Sequence, residues 1–214
     1  MDEKLLKLRK TGAIIGAVAG WFAVFTQFVF LLNNTDLPLF EATVRFFSFF
    51  TILTNMLVAL YFSSQIMPNT NKFKLFFQSP GKLTAIAGYI LVVGIVYQIA
   101  LRHIWNPEGL QMITDELLHT FIPAFTFSFW LLFEDKTKLR FAQIGSWLLY
   151  PLVYILYTLV RGHFTGLYPY PFVNVTAIGY HAALLNTLII IALFLLLFLG
   201  FIGGSKLANR GGKN

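Results

Sequence analysis

The chain has 214 residues, of which 57% are hydrophobic and only 12% charged, with 24 phenylalanines and a formal charge of +7. Soluble domains carry roughly 25% charged residues, so this composition, with a mean hydropathy of +0.70, excludes an ordinary soluble globule. The absence of cysteine excludes disulfides, thiolate nucleophiles and cysteine-based zinc or iron–sulfur sites.

The polar, basic start at residues 1–10 leads into an apolar run over 11–32. That run is too long for a signal-peptide core and has no small-residue cleavage site, so it reads as a retained first span. A span needs about 20 mainly apolar residues, and five more runs meet that length, at 44–66, 83–105, 114–133, 141–160 and 177–202. The connections are marked by turn-forming stretches such as Pro68-Asn69-Thr70-Asn71 and Asn106-Pro107-Glu108-Gly109. The expected fold is all-α, a single domain over 1–214 built as a six-helix transmembrane bundle. On the first span, Gly12, Gly16 and Gly20 recur every four residues, a series suited to close helix packing.

Six spans place both termini on one side. Thirteen of the 16 basic residues then share that side: Lys4, Lys7, Arg9 and Lys10, then Lys72, Lys74 and Lys82, then Lys136, Lys138 and Arg140, then Lys206, Arg210 and Lys213. Only Arg45, Arg102 and Arg161 fall opposite. The positive-inside rule therefore predicts cytoplasmic termini in a cell membrane. The same rule accounts for the net positive charge without nucleic acid, for which the loops are too short to build a binding domain. The expected partner is the lipid bilayer.

Polar residues inside spans need partners, because an Asp or Lys at mid-bilayer costs about 2.5–3.5 kcal/mol. His119 falls about five residues into the fourth run, roughly 8 Å below its outer end. Asp115 and Glu116 precede it by four and three residues and can share its helix face. A carboxylate beside an imidazole fixes its tautomer and strengthens it as a base. The plainer reading of Asp115 is a helix N-cap. With no cysteine, a nucleophile would be a hydroxyl. The second run offers Thr51 about seven residues deep, roughly 10 Å, with Thr54 and Asn55 one turn on. A lone membrane threonine usually bonds its own helix backbone; the depth it shares with His119 argues for more. The last outer loop runs from Arg161 through His163, Tyr168 and Tyr170 to Phe172. Two X-Pro steps disfavour helix there, and its rings suit an interfacial lid or an aromatic belt.

Three motifs fall in order along nearly the whole chain: Phe49-Phe50-Thr51, His119-Thr120 followed by Pro123, and His163-x-Thr165-Gly166 leading to Tyr170-Pro171-Phe172. In these the chain resembles the androgen-induced protein family, and most closely its bacterial six-span relatives. The resemblance implies a membrane-embedded threonine hydrolase of fatty acid esters of hydroxy fatty acids. It implies Thr51 as nucleophile and His119 as base, without cofactor or metal. Asp115, Glu116, Thr54 and Asn55 would support this pair, and Arg45, His163, Tyr168 and Tyr170 would contact substrate. The alternative is a non-enzymatic transporter or lipid-binding protein using the same outer polar cluster. A metal or haem site on the four histidines is disfavoured, since none shows HxxxH or HExxH spacing.

Overall fold

In a computed structural model, residues 2–211 are described. Met1 and Lys213 of the basic termini lie outside them, as does the side chain of Arg210. Among the described residues the secondary structure is helical throughout, with no strand. Five helices are long and apolar enough to cross a membrane, Glu3–Asn33, Lys82–Leu101, Gly109–Phe133, Phe141–Thr165 and Val175–Ala208. A sixth candidate arises only if the bent pair Leu39–Phe46 and Phe50–Ile66 counts as one. The chain divides into two compact units, Met1–Asp135 and Lys136–Asn214.

In the first unit, α1 (Glu3–Asn33) lies along α3 (Phe50–Ile66). Its buried face is Ala13, Gly16, Ala17, Gly20, Ala23 and Val24, the three-and-four spacing of one helix side. All but Val24 are Ala or Gly, so the two backbones approach closely. A Cβ built on Gly16 would come within 2.4 Å of the Phe62 ring, and one on Gly20 within 2.8 Å of Ala59 Cβ. The glycine series is therefore a packing device: Gly16 and Gly20 seat α3, while Gly12 faces Phe129. Trp21 Nε1 donates to Ser63 Oγ at 3.0 Å, fixing the register between the two helices.

The second apolar run is not one helix. The chain forms α2 (Leu39–Phe46), leaves helical geometry at residues 47–49, and turns by 78° into α3. Ser48 Oγ donates back to the Val44 carbonyl at 2.6 Å and Phe49 is extended, with ψ 126°. A hydroxyl that serves the preceding turn competes with helix continuation. Thr51 is thus the second residue of a new helix. A depth counted along a continuous span does not apply to it.

After the short α4 (Lys72–Phe77), capped by Asn71 Oδ1 accepting from Phe73 and Lys74 N–H, the chain enters α5 (Lys82–Val96). This helix ends in a π-helical turn, Tyr97–Leu101. The next long apolar helix starts at Gly109, earlier than its hydropathy suggests, with α6 (Gly109–Glu116), a second π-helical turn at Leu117–Phe121, and α7 (Ile122–Phe133). Pro123 gives the second π turn a cause: it has no N–H for the His119 carbonyl four residues back, and its ring crowds that oxygen. A widened turn relieves the crowding, and Ile122 N–H reaches five residues back to Leu117. α5 approaches this turn through Gly94, where a Cβ would stand 3.1 Å from the His119 carbonyl oxygen. Trp130 Nε1 donates to buried Thr84 Oγ1 at 2.9 Å, joining α7 to α5.

In the second unit two short 3-10 turns, Lys136–Lys138 and Phe141–Gln143, lead into α8 (Ile144–Thr165), which a connection joins to α9 (Val175–Gly211). α8 outlasts its predicted end, so Arg161, His163 and Thr165 stand on its last turns rather than in a loop; Gly166, at φ 71°, stops it. Tyr168 folds back onto Gly162, where any Cβ would fall 2.1 Å from its ring. Asn186 Nδ2 donates to the Phe172 carbonyl at 2.9 Å and holds the connection to α9. α9 is kinked at Gly179, whose φ of 77° is open to glycine at little cost.

Candidate active site

α1, the N-terminal part of α3 and α5 with its π turn pack against the π turn between α6 and α7 that carries His119. His119 Nδ1 lies 3.0 Å from the Asp115 carbonyl oxygen and 3.2 Å from Asp115 Oδ1. Both neighbours are acceptors, so the hydrogen-bond network assigns the ring proton to Nδ1 and makes Nε2 the basic nitrogen. Asp115 and His119 side chains are 10% and 11% exposed, so water competes little for this contact.

The other carboxylate oxygen of Asp115 accepts from the Tyr97 hydroxyl. The Tyr97 ring also stacks on the imidazole, with centroids 4.0 Å apart and planes 12° apart. Tyr97 therefore fixes both the carboxylate and the plane of the ring. Nothing local in the sequence marks it, because it reaches Asp115 from the π turn at the end of a different helix. Asp115 is not a helix cap, since it lies on the seventh residue of α6 and is buried. Of the two roles open to it, the structure leaves the histidine contact.

Glu116 faces the other way. It accepts from Arg102 and from Thr120 Oγ1, the latter at 2.7 Å. Gln98 completes this chain, donating to Thr120 Oγ1 and accepting from Arg102 Nη1, both at 2.9 Å. Glu116 is thus neutralised by Arg102 and leaves His119 to Asp115.

Thr51 and Asn55 come from α3. Thr51 is 9% exposed; Thr54 and Asn55 are fully buried. Asn55 Nδ2 donates to the Thr51 carbonyl at 2.9 Å and to the Leu118 carbonyl at 3.3 Å. One amide thus joins the threonine's turn to the residue before His119. Among the described residues Asn55 Oδ1 is buried without a hydrogen-bond partner, which costs about 1–3 kcal/mol.

The remaining sequence candidates lie on other elements. Arg45 lies on α2 and donates to Glu41 Oε1 at 2.7 Å. In the second unit, His163 Nδ1 is 3.1 Å from the Tyr180 hydroxyl and Tyr170 stacks on Phe172 at 5.1 Å. Burial and the nearby Tyr180 push the Tyr168 hydroxyl pKa up. Among the described residues no three His, Asp or Glu side chains group as a metal site. No protein-family model, no curated protein and no solved structure matches this chain.

Proposed function

We propose that the chain is a six-span membrane protein with both termini cytoplasmic, and that the first unit is a lipid ester hydrolase. The membrane reading rests on the apolar crossings, on exposed side chains such as Phe25, Leu188 and Leu196, and on the one-sided placement of basic residues. The hydrolase reading is carried by one observation: Asp115 holds His119 at Nδ1, with Tyr97 fixing both. It agrees with the resemblance to the androgen-induced protein family.

In this mechanism Thr51 Oγ attacks the ester carbonyl carbon while His119 Nε2 takes the hydroxyl proton. The tetrahedral intermediate collapses, the alcohol leaves with that proton, and the acyl group stays on Thr51. Water then attacks the acyl-threonine, again with Nε2 as base, and the acid is released with Thr51 restored. Asp115 stabilises the imidazolium formed in each step. The N-terminal end of α3, at which Thr51 stands, adds a positive helix-dipole field to the developing oxyanion. Esters of hydroxy fatty acids are the substrate class implied by the resemblance.

Purified protein should hydrolyse fluorogenic acyl esters, and Thr51 should take a fluorophosphonate label. Thr51→Ala and His119→Ala should each lower turnover by about 10²–10⁴-fold while the protein still melts cooperatively. Full activity in either variant would overturn the mechanism.

A second reading, a transporter or lipid-binding protein, is favoured by the 78° break between α2 and α3, since discontinuous helices build transport sites. It expects substrate-dependent flux in proteoliposomes, unchanged by Thr51→Ala and without chemical conversion.

A further inference from the structure

Away from the His119 site, the first unit contains a cleft of about 550 Å³ at the start of α1, bordered by the end of α3 and by α4. Lys7, Arg9, Lys10 and Lys74 line it, against a single acid, Glu3. Glu3 is already paired with Lys7 at 2.7 Å, which leaves three cations without a lining counter-charge.

Two of those cations are held in place. Arg9 Nη2 donates to Gln65 Oε1 at 3.1 Å. Lys74 Nζ donates to the Met67 carbonyl at 2.7 Å and the Gln65 carbonyl at 3.3 Å, where α3 ends. A guanidinium has five N–H groups and an ammonium three, so both retain donors after these bonds. Burial, and then the field of Arg9, push the Lys74 pKa down. The cleft therefore holds like charges that an anion would relieve. Arg9 and Lys74 are fixed in position before any ligand arrives, which lowers the ordering entropy that opposes binding.

We propose that this cleft binds a phosphate-bearing anion, with Arg9, Lys10 and Lys74 as its ligands. Three cations match a phosphate better than a carboxylate. The planar fork of arginine beside lysine point charges is a recurrent phosphate-binding pair. The volume falls within the 300–1,000 Å³ range of small-ligand sites and leaves room for a substituent on the phosphate. α1 spans about 46 Å at 1.5 Å per residue against a hydrocarbon core of about 30 Å. Its first turns can therefore stand at headgroup level, so the phosphate could come from a phospholipid headgroup or from a soluble phosphate.

The test uses the full chain, purified in detergent and stripped of lipid. In one arm inorganic phosphate is titrated by calorimetry at fixed ionic strength, with chloride as control. In the other, phosphatidylglycerol or phosphatidylcholine is added in micelles and bound lipids are counted by native mass spectrometry. The proposal expects saturable binding of inorganic phosphate, or retention of phosphatidylglycerol over phosphatidylcholine. The first result assigns a soluble ligand and the second a headgroup. Arg9→Gln and Lys10→Gln should each weaken binding about tenfold or more. Lys4→Gln, on the same helix but outside the cleft, should change it less than about twofold. Lys10 is exposed, so its variant tests the site even if Arg9→Gln misfolds. No saturable binding in either arm, or an equal loss with Lys4→Gln, would overturn the proposal. This outcome is independent of ester hydrolysis.

Discussion

Replacing Asp115 with Asn tests the His119 site most directly. The side chain keeps its shape, and an Asn can still present oxygen to His119 Nδ1 and its amide to the Tyr97 hydroxyl, which can accept. What is lost is the negative charge 3.2 Å from Nδ1. The backbone carbonyl of residue 115, 3.0 Å from the same nitrogen, is untouched by the substitution. It continues to select the Nδ1–H tautomer. The loss is therefore that of a charge-assisted hydrogen bond to the imidazolium, about 1.5–3 kcal/mol. At 1.36 kcal/mol per decade, this is a fall of about 10- to 150-fold in kcat. The assay is kcat and KM on a fluorogenic acyl ester, with a thermal melt to confirm folding. KM should change little, because the imidazolium exists only along the reaction path. Unchanged kcat would refute the role given to the carboxylate. A fall as large as that of His119→Ala would refute the role given to the backbone carbonyl.

Two further substitutions follow from close approaches of helices. Gly94→Ala would place a methyl 3.1 Å from the His119 carbonyl oxygen and from Pro123 Cβ; the helix-propensity gain of about 0.8–1 kcal/mol offsets much of that crowding, so ester turnover should fall while the melting temperature moves by less than about 3 °C. Gly16→Ala would place a methyl within 2.4 Å of Phe62. That ring is fully buried and packed against Phe129 at 5.0 Å, so it has little room to yield, and the variant should lose about 1–3 kcal/mol, read as a fall in melting temperature. An unchanged melt for Gly16→Ala would refute the close packing of α1 on α3.

Much of the fold is legible from composition and local spacing. Long apolar runs become long apolar helices because a helix satisfies its own backbone, whatever surrounds it. The small residues of α1 foretell a close neighbour because their spacing follows the helix period. Asp115 and His119 meet because four residues make one helical turn, and the π turn begins only after Asp115.

Other features depend on contacts remote in sequence. Residues 46–49, Phe-Phe-Ser-Phe, are apolar enough to continue a span, and hydropathy carries no information on backbone torsion. The break that places Thr51 at the start of a helix is visible only in the folded chain. Tyr97 is 18 positions from Asp115, and Asn55 is 63 from Leu118, so no local pattern announces either pair. The basic residues around the cleft read from sequence only as a topology signal. Their grouping with Lys74 against the end of α3 required α1 to be laid along it, which side-chain packing decides. The sequence by itself determined that the chain is all-helical with long apolar segments. The tertiary structure decided which polar groups meet, because those partners lie on different helices and only packing sets their distance.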